Sequence, residues 1–93
     1  MDANYEMTKS YAQRVHAKRR FQERKGIDLT RKLRRQLVAM IRDEDRSVRL
    51  VTRQSRRVSV WDVQVLGEPC RIVYDCTRKN IVTVLPDVPN SRL

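Results

Sequence analysis

The spacing of apolar residues changes once along this chain, near Arg46, and that change sets the expected fold class. Before Arg46, apolar residues recur at the three-to-four-residue spacing of amphipathic helices. After Arg46, they alternate with polar residues in short Val-rich runs, which favours β-strands. Because the chain has 93 residues, we expect a single domain with a modest core. The sequence therefore predicts an α+β domain whose helices precede its strands.

The first predicted helix covers about residues 8–25. Gly26 is a suitable stop, since glycine commonly follows the last helical turn. The apolar residues that recur along one side of this helix are Met7, Tyr11, Val15 and, more loosely, Ala12 and Phe21. We predict that this stripe faces the core.

The second predicted helix covers about residues 29–43, with Asp28 or Thr30 as its N-cap. Its apolar face is regular and consists of Leu29, Leu33, Leu37, Met40 and Ile41. Acidic residues follow at 43–45. They oppose the helix dipole at a C-terminal end, so we expect the helix to stop there.

Four strands are predicted at residues 47–53, 57–66, 70–76 and 81–85. Short connections between them favour an antiparallel meander in chain order. One face of this sheet needs a cover, and the two helices can provide it. The expected fold is thus α+β, with two N-terminal helices packed on a four-stranded antiparallel β-meander. Residues 8–86 form the predicted domain, between a flexible N-terminus at 1–7 and an irregular tail at 87–93.

The charge balance points to a polyanionic partner. Lys and Arg number 21 against 11 Asp and Glu, which gives a net charge of +10. Such a surface would attract RNA, DNA or an acidic protein. The alternative is that the positive charge serves only to keep the protein soluble. Arginine predominates over lysine, and its guanidinium group binds phosphate in a bidentate way. The residues predicted to contact nucleic acid are Arg19, Arg24, Lys25, Arg31, Arg34, Arg35, Arg53, Arg56, Arg57 and Arg78.

Several classes of function find no support in the sequence. Cys70 and Cys76 lie too far apart along one predicted strand for a disulfide, so we expect reduced thiols and a cytoplasmic location. His16 is the only histidine, and we expect no metal site. With two glycines there is no Gly-rich phosphate loop, and no cofactor is expected. No long apolar run predicts a membrane span.

The first candidate catalytic group lies on the first helix. His16, Arg20 and either Glu23 or Arg24 are spaced so that they share one helix face. Imidazole can transfer protons near neutral pH, and a neighbouring guanidinium can stabilise a phosphate in its transition state. The alternative is a solvated face on which Glu23 pairs with nearby basic side chains.

The second candidate group lies on the last predicted hairpin and consists of Arg71, Tyr74, Asp75, Arg78 and Lys79. Its basic residues could clamp phosphate while the tyrosine stacks on a base or handles a proton. The alternative is an ordinary hairpin with a charged turn, in which Tyr74 lies partly in the core.

Residues 16–27 read HAKRRFQERKGI and are similar to the H-A-x-x-R-x-x-E-R-x-G-I opening of small toxin-like domains related to BrnT and RelE. Residues 57–65, 71–75 and 81–86 resemble the closing strands of the same group, so the resemblance covers about residues 16–86. Similar short proteins are common in bacteriophage genomes. The resemblance implies helices packed on a curved sheet and metal-independent RNA cleavage, in which the 2′-hydroxyl attacks the adjacent phosphate.

Carried onto this chain, the resemblance implies that His16 acts as acid or base. Arg20 and Arg71 would hold the scissile phosphate, with Tyr74 or Lys79 as helpers. A cognate antitoxin would then be a partner. Two alternatives stay open. One is a non-catalytic phage accessory protein that binds nucleic acid or inhibits an acidic host protein in the bacterial cytoplasm. The other is a component of the virion.

Overall fold

A computed structural model describes residues 3–86, with side chains from residue 8 onward. Its elements are α1 (Ala3–Lys25), α2 (Arg31–Arg42), β1 (Val48–Arg53), β2 (Val58–Val65), β3 (Glu68–Asp75) and β4 (Asn80–Val84). The strands form one antiparallel sheet in the order β1-β2-β3-β4. The predicted α+β fold, with two helices followed by a four-stranded meander, is confirmed. The tail predicted at 87–93 lies outside the described residues.

Helix α1 buries a different face from the one predicted. It begins at Ala3 rather than near residue 8, and Ala17 and Phe21 are its fully buried side chains. Tyr11 is 63% exposed and Val15 is 40% exposed. The prediction that these two face the core is therefore wrong, although Phe21 does. Ala12 is exposed as well, and the side chain of Met7 lies outside the described part.

Polar contacts with the sheet explain this orientation of α1. Asn80 Nδ2 donates to Ser10 Oγ at 2.8 Å and to Gln13 Oε1 at 3.0 Å. At the other end of the helix, Arg24 Nη1 donates to the carbonyl oxygen of Val84 at 2.7 Å. Ser10, Gln13 and Arg24 are spaced along α1 so that they lie on the same side of the helix as the buried Phe21. The face of α1 that meets β4 is thus half polar, and apolar spacing alone could not identify it.

Helix α2 agrees closely with its prediction. Thr30 is the N-cap, and its Oγ1 accepts from the backbone N–H of Leu33 at 3.1 Å, so the structure selects Thr30 over Asp28. The residues of the helix that are buried are Leu37, Val38 and Ile41. The apolar face holds the helix on the sheet and leaves its arginines on the remaining surface.

The sheet carries the core on one face. Cys70, Ile72 and Tyr74 alternate along β3 and pack in the core cluster with residues of the helices. Buried Trp61 on β2 lies opposite Ile72, and its Nε1 donates to Ser59 Oγ at 2.8 Å. Arg71, which lies between Cys70 and Ile72, points to the opposite face. The two faces of β3 therefore belong to different surfaces of the molecule.

Two further expectations concern the described residues. Cys70 is buried and Cys76 is exposed, and the two form no disulfide with each other, as predicted. Within residues 3–86, neither helix combines the length and the apolar character that crossing a membrane requires.

Candidate nucleic-acid interface

Two of the five residues proposed for catalysis lie on opposite faces of one strand. Arg71 and Tyr74 are an odd number of positions apart on β3, so their side chains point in opposite directions. Tyr74 is 4% exposed and packs in the core cluster. Burial raises the pKa of its phenol, with a contribution from nearby Cys76. A buried phenol with a raised pKa is a poor proton acceptor at neutral pH.

Arg71 is already bound by an acid of the protein itself. Its Nε donates to Asp62 Oδ1 at 2.8 Å and its Nη2 to Asp62 Oδ2 at 2.9 Å. Arg49 approaches the same carboxylate from β1 at 3.3 Å. The hydrogen bond from Arg71 lowers the pKa of Asp62 against the opposing effect of burial. The guanidinium that the resemblance assigns to a scissile phosphate thus has a carboxylate as its partner.

The other three residues proposed for catalysis make no hydrogen bond or ion pair with Arg71 or Tyr74 among the described residues. Arg20 Nη1 donates to Glu23 Oε1 at 2.7 Å, which matches the alternative of a solvated, internally paired helix face. His16 is half-buried on α1, and Lys79 is exposed in the turn between β3 and β4. Within residues 8–86, no hydrogen bond or ion pair connects any two of the five. Among the described residues, the five are thus not linked into one hydrogen-bonded group, and Arg71 and Tyr74 lie on opposite faces of β3.

The last hairpin is built around Asp75 rather than around an open phosphate clamp. The Asp75 side chain is 2% exposed, and its Oδ2 accepts from Arg57 Nη2 at 2.7 Å and from Arg78 Nη1 at 3.3 Å. Its Oδ1 accepts the backbone N–H groups of Thr77 and Arg78, and Gln13 Nε2 on α1 donates to Oδ2 at 3.0 Å. Burial alone would raise the pKa of Asp75, but these donors, Arg57 foremost, outweigh it and hold the pKa well below its ordinary value.

A different group of arginines lies together without such an acid. The members of this arginine cluster are Arg14 on α1 and Arg31, Arg34 and Arg35 on α2. Burial lowers the pKa of Arg34, and the like charges of the other three, Arg14 foremost, lower it further. Arg14 Nη1 donates to Ser10 Oγ at 2.9 Å. In the part of the chain that the structure describes, none of the four forms an ion pair.

Local sequence explains how the arginine cluster forms. Positions 34 and 35 lie three and four residues after position 31, so both are neighbours of Arg31 on one side of α2. That side borders the apolar face of α2, whose Leu37 and Val38 are buried in the core cluster. Arg14 borders the buried face of α1 in the same way. The sequence predicted three of the four members, but it missed Arg14, whose proximity to α2 depends on how the two helices pack.

The other predicted contact residues are distributed around the molecule. Arg24 and Lys25 donate to backbone carbonyl oxygens, of Val84 and Pro69 respectively. Arg19 is exposed on the outer side of α1. Arg53 and Arg56 are exposed at the connection from β1 to β2, whereas Arg57 and Arg78 contact Asp75. These residues therefore lie on α1 and on both hairpins of the sheet, and several of them already have partners within the protein.

The arginine cluster has the chemistry that a polyanion requires. Guanidinium groups donate paired hydrogen bonds to phosphate and keep their charge at every physiological pH. Two acids close to the cluster in sequence are engaged elsewhere, since Asp28 pairs with Lys18 and Glu23 with Arg20. Comparisons with protein-family models, with curated proteins and with solved structures found no match for this chain.

Proposed function

We propose that this protein binds nucleic acid, RNA in particular, through the arginine cluster. The proposal is supported by the position of Arg34, which lies within reach of the like charges of Arg14, Arg31 and Arg35, while no carboxylate of the described residues pairs with the four. Holding like charges together costs stability. A bound phosphate backbone would remove that cost, because each phosphate neutralises an arginine and releases counterions.

Phosphate fits this surface better than protein carboxylates do. A nucleic-acid backbone repeats its charge at every nucleotide, so that several closely spaced arginines can each contact a phosphate at once. RNA cleavage is not part of the proposal, because Arg71 and Tyr74 diverge and Arg20 and Arg71 are paired with acids. An acidic protein is the competing partner that the net charge of +10 would attract.

Replacing Arg31, Arg34 and Arg35 together with glutamine should weaken RNA binding roughly tenfold to a hundredfold at near-physiological salt, since three phosphate contacts are lost. Glutamine keeps the length and helix propensity of the side chains, so α2 should persist. Fluorescence anisotropy of a labelled oligoribonucleotide measures the affinity, and circular dichroism verifies the helix content.

A matched control removes the same charge from positions at the two ends of β1, by replacing Arg46, Arg53 and Arg56 with glutamine. These exposed residues lie outside the arginine cluster, so their loss acts only through screened long-range attraction and should cost about threefold at most. An equal loss of affinity in both variants would show that net charge alone, rather than this cluster, binds RNA. Wild-type protein that binds an acidic protein but no RNA would reject the proposal.

A further inference from the structure

We propose that the interface selects single-stranded over double-stranded nucleic acid, because Tyr11 presents an exposed aromatic ring beside the arginine cluster. This inference rests on the proposed function. It adds to that function the class of ligand, a flexible strand whose bases are free to leave the stack.

The position of Tyr11 follows from helix geometry. Tyr11 precedes Arg14 by three residues on α1, and residues at this spacing are neighbours on a helix surface. Arg14 in turn lies close enough to Arg34 for their charges to interact. The ring of Tyr11 therefore borders the arginine cluster on the side of α1.

The exposure of Tyr11 contrasts with the other described aromatic residues. Phe21, Trp61 and Tyr74 are each at most 5% exposed, whereas Tyr11 is 63% exposed. Val15 follows one turn later and is 40% exposed, so the two side chains form a short apolar strip along the outer face of α1. Arg14 and Arg19 lie on either side of this strip by their helical positions. An apolar strip between guanidinium groups suits a base flanked by its phosphates.

The chemistry of the two ligand classes differs at the base. In a duplex, each base is already stacked on its neighbours, and the protein meets mainly phosphates and groove edges. In a single strand, bases can turn out and stack on an aromatic ring without regard to sequence. The arginine cluster contacts phosphate in both cases, so Tyr11 is the group that discriminates between them.

The test compares two labelled RNA probes of equal length, an unstructured oligouridylate and a blunt duplex, in fluorescence anisotropy. Tyr11→Ala should weaken binding of the oligouridylate about fivefold to thirtyfold, in line with the loss of one stacked base, and leave duplex binding unchanged. Tyr11→Phe keeps the ring and should bind like wild type. Leu50→Ala removes a side chain that is 39% exposed on β1, at the other edge of the sheet, and should change neither affinity.

Three outcomes overturn the inference and can be told apart. If Tyr11→Ala binds the oligouridylate as tightly as wild type while the Arg31/Arg34/Arg35 variant loses both probes, then stacking fails and the proposed function stands. If wild-type protein binds neither probe, the proposed function fails together with the inference. A loss of both probes in Tyr11→Ala, with unchanged circular dichroism, would also contradict selection by the ring.

Discussion

Replacing Asp75 with alanine should lower the free energy of unfolding by about 3–5 kcal/mol, the usual cost of removing one partner from a buried ion pair. The Asp75 carboxylate accepts from two guanidinium groups, two backbone N–H groups and the Gln13 amide. It thereby connects α1, the start of β2 and the last turn. Urea unfolding followed by the fluorescence of buried Trp61 measures the change.

The pH dependence provides the control for this prediction. The folded-state pKa of Asp75 is lowered, so the unfolded chain, with an ordinary pKa of about 3.9, takes up the proton first as the pH falls. The stabilisation is therefore complete above about pH 5 and decreases as the pH falls below about 4. Asp75→Asn cannot titrate, so the difference in unfolding free energy between wild type and this variant should narrow in acid. A difference that stays constant into acid would contradict the role of the charge.

Replacing Phe21 with alanine should lower the free energy of unfolding by about 3–5 kcal/mol, as is typical when a buried aromatic ring is removed. Phe21 is fully buried and is the largest apolar side chain that α1 contributes to the core cluster. A domain of this size has a total stability of only roughly 5–14 kcal/mol. The variant should therefore unfold at a much lower urea concentration.

Tyr11→Ala is the matched control on the same helix. Because Tyr11 is exposed, its removal should change stability by about 0.5 kcal/mol or less. If Tyr11→Ala destabilised the protein as much as Phe21→Ala, the orientation of α1 described here would be wrong. The predicted stripe of Tyr11 and Val15 would then face the core after all.

The order and type of the elements follow from the sequence because they depend on local patterns. The regular apolar face of α2, its Thr30 cap and the period-two runs of the strands each reflect interactions within a few residues. Gly67, in the left-handed region with φ of 82°, likewise marks the turn from β2 to β3. Such signals predict where elements begin and end without knowledge of their partners.

The orientation of α1 and the make-up of the interface depend on contacts between residues far apart in the chain. Asn80 and Asp75 bind the polar side of α1, so that Phe21 rather than Tyr11 turns inward. Asp62 on β2 likewise accepts a hydrogen bond from Arg71 on β3, a contact that forms only when the two strands pair. Sequence spacing does not reveal which acid neutralises which arginine. Arg14 was missed because its proximity to α2 depends on how the two helices pack. The resemblance to BrnT and RelE stays a prediction.

The salt dependence of RNA affinity tests the central claim most directly. With four phosphate contacts from the arginine cluster, the logarithm of the association constant should fall with the logarithm of salt concentration at a slope of about −3 for a single strand. In the Arg31/Arg34/Arg35 glutamine variant, the slope should become shallower, at about −1. An affinity that does not change with salt, or equal slopes for wild type and variant, would contradict the account.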